Sequence, residues 1–263
     1  MRASEADRMM WASDAVLDES AAWRSSWHPA GSDYFVVDGY EFYQQDGEAT
    51  LLNYRGPRIP AAEIIENALA IASAHGAHAA LVTVGPGPLG EVSTDVLDGH
   101  GAETVAVVDV VAMEIGGPTP EGLAATDDLD CRKVGVDCHI DEFEDVSRRA
   151  WGFVPPVLSD PSAAHDDDRS PGLFVARCAG VTAGAGGYSL AAQVARMWGA
   201  AVLPEFRRRG VYRALIGARV RDARDRGATL ALVHAEQTSS PILQALGFRK
   251  FGERRRVRMS VGN

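Results

Sequence analysis

The 263-residue sequence predicts a mixed α/β (α+β) chain organised as two tandem units. Three observations carry that expectation. Short apolar runs of strand character alternate with amphipathic stretches of helical period in both halves. A Gly- and Pro-rich cluster, Gly116-Gly117-Pro118-Thr119-Pro120-Glu121-Gly122, breaks the pattern near the middle. Segments on either side of it echo one another: Gly76-Ala77-His78-Ala79-Ala80-Leu81-Val82 parallels Gly227-Ala228-Thr229-Leu230-Ala231-Leu232-Val233, and Leu97, Gly101 and Met113 keep the mutual spacing of Leu243, Gly247 and Met259. Two Ala-rich helix–strand units also look alike for no deeper reason, so the echo supports a repeat without establishing one. With 46% hydrophobic residues the chain has apolar material for two cores.

The expected division is a first unit over 1–117, a linker over 118–131 and a second unit over 132–263. Lys133 to Asp137 reads as the opening strand of the second unit, followed by a helix from Ile140 to Trp151. Pro155 to Pro171 is a long Pro- and Asp-rich loop containing Asp166-Asp167-Asp168. Leu173 to Cys178 and Val181 to Gly186 form a hairpin around Ala179-Gly180, and Gln193 to Leu203 is a long strand. Val211, Ala214, Leu215 and Ala218 make an apolar stripe at helical spacing, so a helix runs from about Arg209 to Arg226 and stops at Gly227. Leu230 to Ala235 is a short buried strand, Ser240-Pro241 starts a helix, and Phe251 to Met259 is the last strand.

The chemically informative stretch lies where the long strand meets the long helix: Val202-Leu203-Pro204-Glu205-Phe206-Arg207-Arg208-Arg209-Gly210-Val211-Tyr212-Arg213. Three cations at a helix N-terminus work against the helix dipole, each by roughly 0.3–1 kcal/mol when exposed. An anion held by the free backbone N–H groups reverses that balance, with Gly210 permitting close approach and the arginines supplying countercharge. The stretch therefore reads as a phosphate-binding turn.

This turn, with the helix, the strand and the Leu246-Gly247-Phe248 signature after it, resembles the GCN5-related N-acetyltransferase (GNAT) superfamily over about residues 132–263. Arg207 to Tyr212 fills the family's Arg/Gln-x-x-Gly-x-Gly/Ala loop, with Tyr212 standing where Gly or Ala is usual. The resemblance implies a mixed, mostly antiparallel sheet flanked by helices and acetyl transfer from acetyl-coenzyme A to an amine. It implies that Val202, Leu203, Arg207, Arg208, Arg209, Gly210, Val211, Tyr212 and Arg213 hold coenzyme A, chiefly through main-chain N–H groups, so that a larger side chain at Tyr212 is tolerable where it points outward. It further implies that strand groups around Ala200 to Leu203 serve the pantetheine and the oxyanion. Gly199 is expected to mark a local strand distortion there.

The acid and base are less well marked. The family's helix tyrosine corresponds to Leu243. His234 and Glu236, at the end of the strand after the long helix, are the candidate catalytic bases, histidine for its near-neutral pKa. His234 also reads as a satisfied strand histidine, Glu236 as a solvated residue, and deprotonation through water stays open. Asp141, Glu142, Glu144 and Asp145 with Asp166 to Asp168 would favour a cationic acceptor if they line the cleft, or are simply solvated acidic runs. The missing tyrosine motivates an alternative, a non-catalytic acyl-coenzyme A-binding or regulatory module.

In the first half the corresponding loop is Arg55-Gly56-Pro57-Arg58-Ile59-Pro60, where two prolines remove donors from a site that depends on them. The first unit is therefore expected to be a degenerate, shortened GNAT-like unit that does not bind coenzyme A. A net charge of −10 argues against a nucleic-acid partner despite Arg254-Arg255-Arg256, which reads as charge covering an exposed edge strand. Cys131, Cys138 and Cys178 lack metal-ligand spacing and suit a reducing compartment. His75, His78 and His100 read as surface or helix-end residues, so no metal is expected. Neither a signal-like start nor 18 consecutive apolar residues is present, giving the expectation of a cytoplasmic protein without a membrane partner. The acceptor is expected to be a small-molecule or peptide amine, and a homodimer stays open.

Overall fold

The computed structural model describes residues 11–24, 27–29, 31–90, 92–117, 121–123, 129–135, 138–152 and 171–262. The acidic loop Asp166–Asp168 lies outside them. Helices are α1 (Ser13–Ala22), α2 (Ala61–Ala74), α3 (Thr94–Gly99), α4 (Ile140–Trp151), α5 (Val211–Asp225) and α6 (Ser240–Ala245). Strands are β1 (Asp33–Val37), β2 (Tyr40–Gln45), β3 (Glu48–Tyr54), β4 (Ala79–Val84), β5 (Glu103–Glu114), β6 (Leu129–Lys133), β7 (Gly172–Cys178), β8 (Val181–Ala191), β9 (Val194–Val202), β10 (Leu230–Glu236) and β11 (Arg249–Ser260). The expected mixed, mostly antiparallel sheet flanked by helices is what forms.

Two compact units result, and they interleave along the chain rather than dividing it once. One comprises 17–110, 235–237 and 251–263; the other comprises 1–16, 111–234 and 238–250. The expected division at 1–117, 118–131 and 132–263 is contiguous, whereas most of β11 groups with residues 17–110 and the end of β5 groups with the later residues.

In the unit of residues 17–110, β1, β2 and β3 pair antiparallel, β3 pairs parallel with β4, and β4 pairs antiparallel with β11. Phe42, Ile64, Ile65, Leu69, Val82 and Met259 form its core with α2. Arg255–Ser260 pairs with Val84–Ala79, so the arginines of β11 do not cover a free edge there. They fasten the strand instead: Arg254 donates to Ser20 O at 2.8 Å, Arg256 to Tyr43 and Thr50 at 3.1 Å, and Arg258 to Glu48 at 2.7 Å. The first-half histidines lie where expected, His75 and His100 as helix C-caps.

In the unit of residues 111–234, β6, β7, β8 and β9 pair antiparallel in order and β9 pairs parallel with β10. The opening strand is β6, four residues earlier than Lys133–Asp137, because Leu129–Lys133 is the segment in register with Cys178–Phe174. Sheet residues alternate between two helices, as the pleat dictates. Leu173, Val175, Ala185, Ala201 and Leu203 pack with Phe143 and Val146 of α4. A Cβ on the intervening Gly184 would face Val211 and Leu215 of α5.

The repeated spacing has a structural counterpart. The order α2–β4–α3–β5 recurs as α5–β10–α6–β11, with Leu97 and Leu243 buried on the short helices and Gly101 and Gly247 both at positive φ, 60° and 102°.

Candidate active site

The parallel pairing of β9 with β10 lasts three residues, from Val194↔Leu230 to Arg196↔Leu232. Beyond Arg196 that edge of β9 is no longer laddered to β10, which leaves main-chain groups of a central strand available to a ligand. The distortion expected at Gly199 is present: its φ is +59° and the β8/β9 register shifts between Ala185 and Gly187. Glycine is needed twice over there, since a Cβ would stand 3.1 Å from the Trp151 ring and φ is left-handed.

At the end of β9 the chain is anchored and then turned. Leu203 is buried and its N–H donates to Ala183 O at 2.9 Å. Pro204–Phe206 makes one 3-10 turn, and Arg208 and Gly210 both take left-handed conformations, φ +62° and +81°. The first helical bond of α5 is Ala214 N–H to Gly210 O at 2.9 Å, and no side chain caps the helix. The N–H groups of Val211, Tyr212 and Arg213 thus lack intrahelical acceptors.

Arg207, Arg208, Arg209 and Arg213 are exposed around this helix end. Arg207 Nε reaches Val202 O at 3.5 Å and Arg209 lies over the Phe206 ring at 5.7 Å. Three donor groups, a helix dipole and four cations converge on one turn. The residues present suit a diphosphate. The Tyr212 ring is half-buried, its hydroxyl shares a hydrogen bond with Ser239, and burial pushes its pKa up. A phenol that is partly buried keeps its hydroxyl paired, and Ser239 in the turn before α6 supplies the partner.

Both catalytic candidates lie beyond Leu232, the last β10 residue paired with β9. His234 is half-buried and Glu236, at the strand end, is exposed. A spacing of two puts both on one face of the strand. Leu243, where the resemblance expects a tyrosine, is fully buried on α6 and offers no proton.

Two groups near β8 take roles that the sequence reading did not give them. Arg219 of α5 is 1% exposed, donating to Leu215 O at 3.2 Å, Gly187 O at 3.0 Å and Trp198 O at 3.2 Å. It thereby grips both strands at the β9 bulge, in space left by the missing side chain of Gly186. Burial pulls the guanidinium down to about 10, still charged at neutral pH, and its Nη2 finds no partner among the described residues. Nothing in helical periodicity distinguishes such an arginine from its exposed neighbours.

The second is Glu142 of α4. It accepts from Arg177 at 2.7 and 3.0 Å, from Thr182, and shares a hydrogen bond with His139 Nδ1 at 2.9 Å. Arg177 above all holds its carboxyl down at about 2. The acidic helix face considered for acceptor steering is thus largely engaged, because Glu144 and Asp145 also pair with Arg148 and Arg149 at 3.3 Å. A depressed carboxylate stabilises the fold above its unfolded pKa and loses that contribution on acidification. Between pH 4.5 and pH 2, on the order of 2 kcal/mol should therefore disappear. Urea unfolding of Glu142→Gln across that range is expected to show a correspondingly flatter pH dependence, and identical slopes for both proteins would refute the assignment.

All three cysteines are free thiols, and burial pushes Cys131 up to about 11. Among the described residues no group of three His, Cys, Asp or Glu side chains could hold a metal ion, and no helix is long and apolar enough to cross a membrane.

Residues 140–248 match the "Acetyltransferase (GNAT) family". Among curated proteins none matches this sequence. Solved structures similar to the chain include a GCN5-related N-acetyltransferase from Kribbella flavida, 19% identical with a TM-score of 0.60, covering 88% of this chain and 90% of that one. A GCN5-related N-acetyltransferase from Sphaerobacter thermophilus is 13% identical with a TM-score of 0.64, covering 85% and 76%. A tandem GNAT protein from the clavulanic acid biosynthesis pathway is 15% identical with a TM-score of 0.62, covering 85% and 79%. At these identities the structures speak for the fold, and the family match speaks for the segment that carries the arginine turn. The chain accordingly carries a domain of the acetyltransferase (GNAT) family over residues 140–248.

Proposed function

We propose that this protein is an acetyl-coenzyme A-dependent N-acetyltransferase whose acceptor is a small-molecule or peptide amine. The observation that carries the reading is the opening of the β9/β10 pair onto the Arg207–Gly210 turn. Bound there, acetyl-coenzyme A supplies an activated acetyl thioester. Val211, Tyr212 and Arg213 N–H groups with the side chains of Arg207 to Arg209 hold the diphosphate end. The free edge of β9 up to Val202 and Leu203 aligns the acyl end, with main-chain donors placed where negative charge grows on an acyl oxygen. His234 or Glu236 takes the proton of the amine, and residues 1–117 form a degenerate, shortened GNAT-like unit that leaves coenzyme A to the second.

Thiol release should be followed with acetyl-coenzyme A over a panel of amines and peptides, with calorimetry of coenzyme A alongside. One coenzyme A per chain and turnover on at least one amine are expected. Binding without turnover on any amine would favour a non-catalytic acyl-coenzyme A module, and two coenzyme A molecules per chain would overturn the assignment of the first unit. If His234 is the base, His234→Ala should remove the acidic limb of the kcat/KM profile and leave coenzyme A affinity unchanged.

A further inference from the structure

The unit of residues 17–110 carries a cleft of its own, about 980 Å³, where Arg55–Pro60 leads from β3 into α2. Its walls are apolar: Ile59, Ile64, Val92 and Val96 line it and pack against that unit's core. The loop is held in shape, with Tyr54 Oη donating to Pro57 O at 2.6 Å and Arg55 N–H donating to Gly39 O at 2.7 Å.

Its charge is one-sided. Arg24, Arg55 and Arg58 line the cleft, and none of its described lining residues is acidic, in a chain whose net charge is −10. Arg55 has Glu41 at 3.5 Å, whereas neither Arg24 nor Arg58 has an ion-pair partner among the described residues. Three guanidinium groups around one concavity repel one another and focus a positive potential into it, an arrangement that an entering anion relieves. Pro57 and Pro60 lack N–H groups, so recognition falls on the side chains rather than on a main-chain cradle.

We propose that this cleft binds a small organic anion, a carboxylate or phosphate carried on an apolar body, with Arg24 and Arg58 on the anionic head and Ile59, Val92 and Val96 against the body. The proposal does not depend on acetyl transfer. A volume near 980 Å³ is ample for a ligand of that kind.

Calorimetry on the full chain with octanoate, octyl phosphate and the neutral octyl glucoside tests it. At least one of the two anions should bind once per chain, and the tighter of them identifies the head group. The glucoside should bind at least about tenfold more weakly, and each of Arg24→Ala and Arg58→Ala should weaken the anion about tenfold, the loss of one charge-assisted contact. Both arginines are exposed, so the variants should melt with the wild type. Coenzyme A binding should be unchanged in them, which separates this site from the transferase reading. Failure of both anions to bind, equal binding of the glucoside, unchanged affinity in both Arg24→Ala and Arg58→Ala, or displacement of the anion by coenzyme A would each overturn the proposal.

Discussion

Gly210→Val is expected to reduce coenzyme A affinity about 100-fold, near 2.7 kcal/mol, while the protein remains folded. Gly210 precedes the first residue of α5 at φ +81°, a conformation that a β-branched residue adopts only under strain. A Cβ there would meet only Leu129 Cδ1, at an ordinary contact distance of 3.4 Å, so the cost falls on the backbone dihedral rather than on packing. Moving the turn swings the N–H groups of Val211, Tyr212 and Arg213 off their common point. Arg208→Gly separates geometry from charge. Arg208 itself sits at φ +62°, so glycine relieves backbone strain while deleting a cation. If countercharge matters, affinity should fall about tenfold despite the easier backbone. Titration calorimetry of both variants decides the matter, and wild-type affinity in both would remove the diphosphate assignment and the transferase reading with it.

Arg219→Met should destabilise the protein by about 2 kcal/mol even though it takes a costly charge out of the interior. Two effects oppose each other. Methionine fills similar space and relieves a desolvated guanidinium whose Nη2 has no partner among the described residues. Against that, Gly187 O and Trp198 O lose a shared donor at the strand bulge, each at roughly 1–3 kcal/mol when left dry. The second effect should win because both groups are acceptors, so neither can satisfy the other once the guanidinium is gone. Arg219→Lys restores one donor in place of a fork and should recover about half the loss. Denaturant unfolding measures this directly. Stability equal to wild type in Arg219→Met would show that the bulge is held by the backbone alone.

Much of the later half was legible because its signals are local. The apolar stripe from Val211 to Ala218, the stop at Gly227 and the run from Leu230 anticipate α5 and β10 within one or two residues. The α4 boundaries, Ile140 and Trp151, are as read. Gly199 was identifiable as a distortion because glycine within a strand has few other purposes. The opening strand was misplaced because register with β7, not composition, chooses between Leu129–Lys133 and Lys133–Asp137.

Long-range pairing accounts for the other differences. Arg254 to Arg256 looked like edge protection, yet the partners of Arg254 and Arg256 lie more than 200 residues away in sequence. Glu142 looked solvated among other carboxylates, and only the approach of Arg177 and Thr182 from the β7–β8 hairpin shows it to be engaged.

By itself the sequence determined the order of helices and strands, the arginine turn and the loss of main-chain donors at Pro57 and Pro60, since backbone dihedrals, helix ends and proline chemistry act over a few residues. The tertiary structure decided which strands pair, where β9 and β10 part and which charges meet across the sheet. Those outcomes depend on distances between residues far apart in the chain, and no local pattern encodes them.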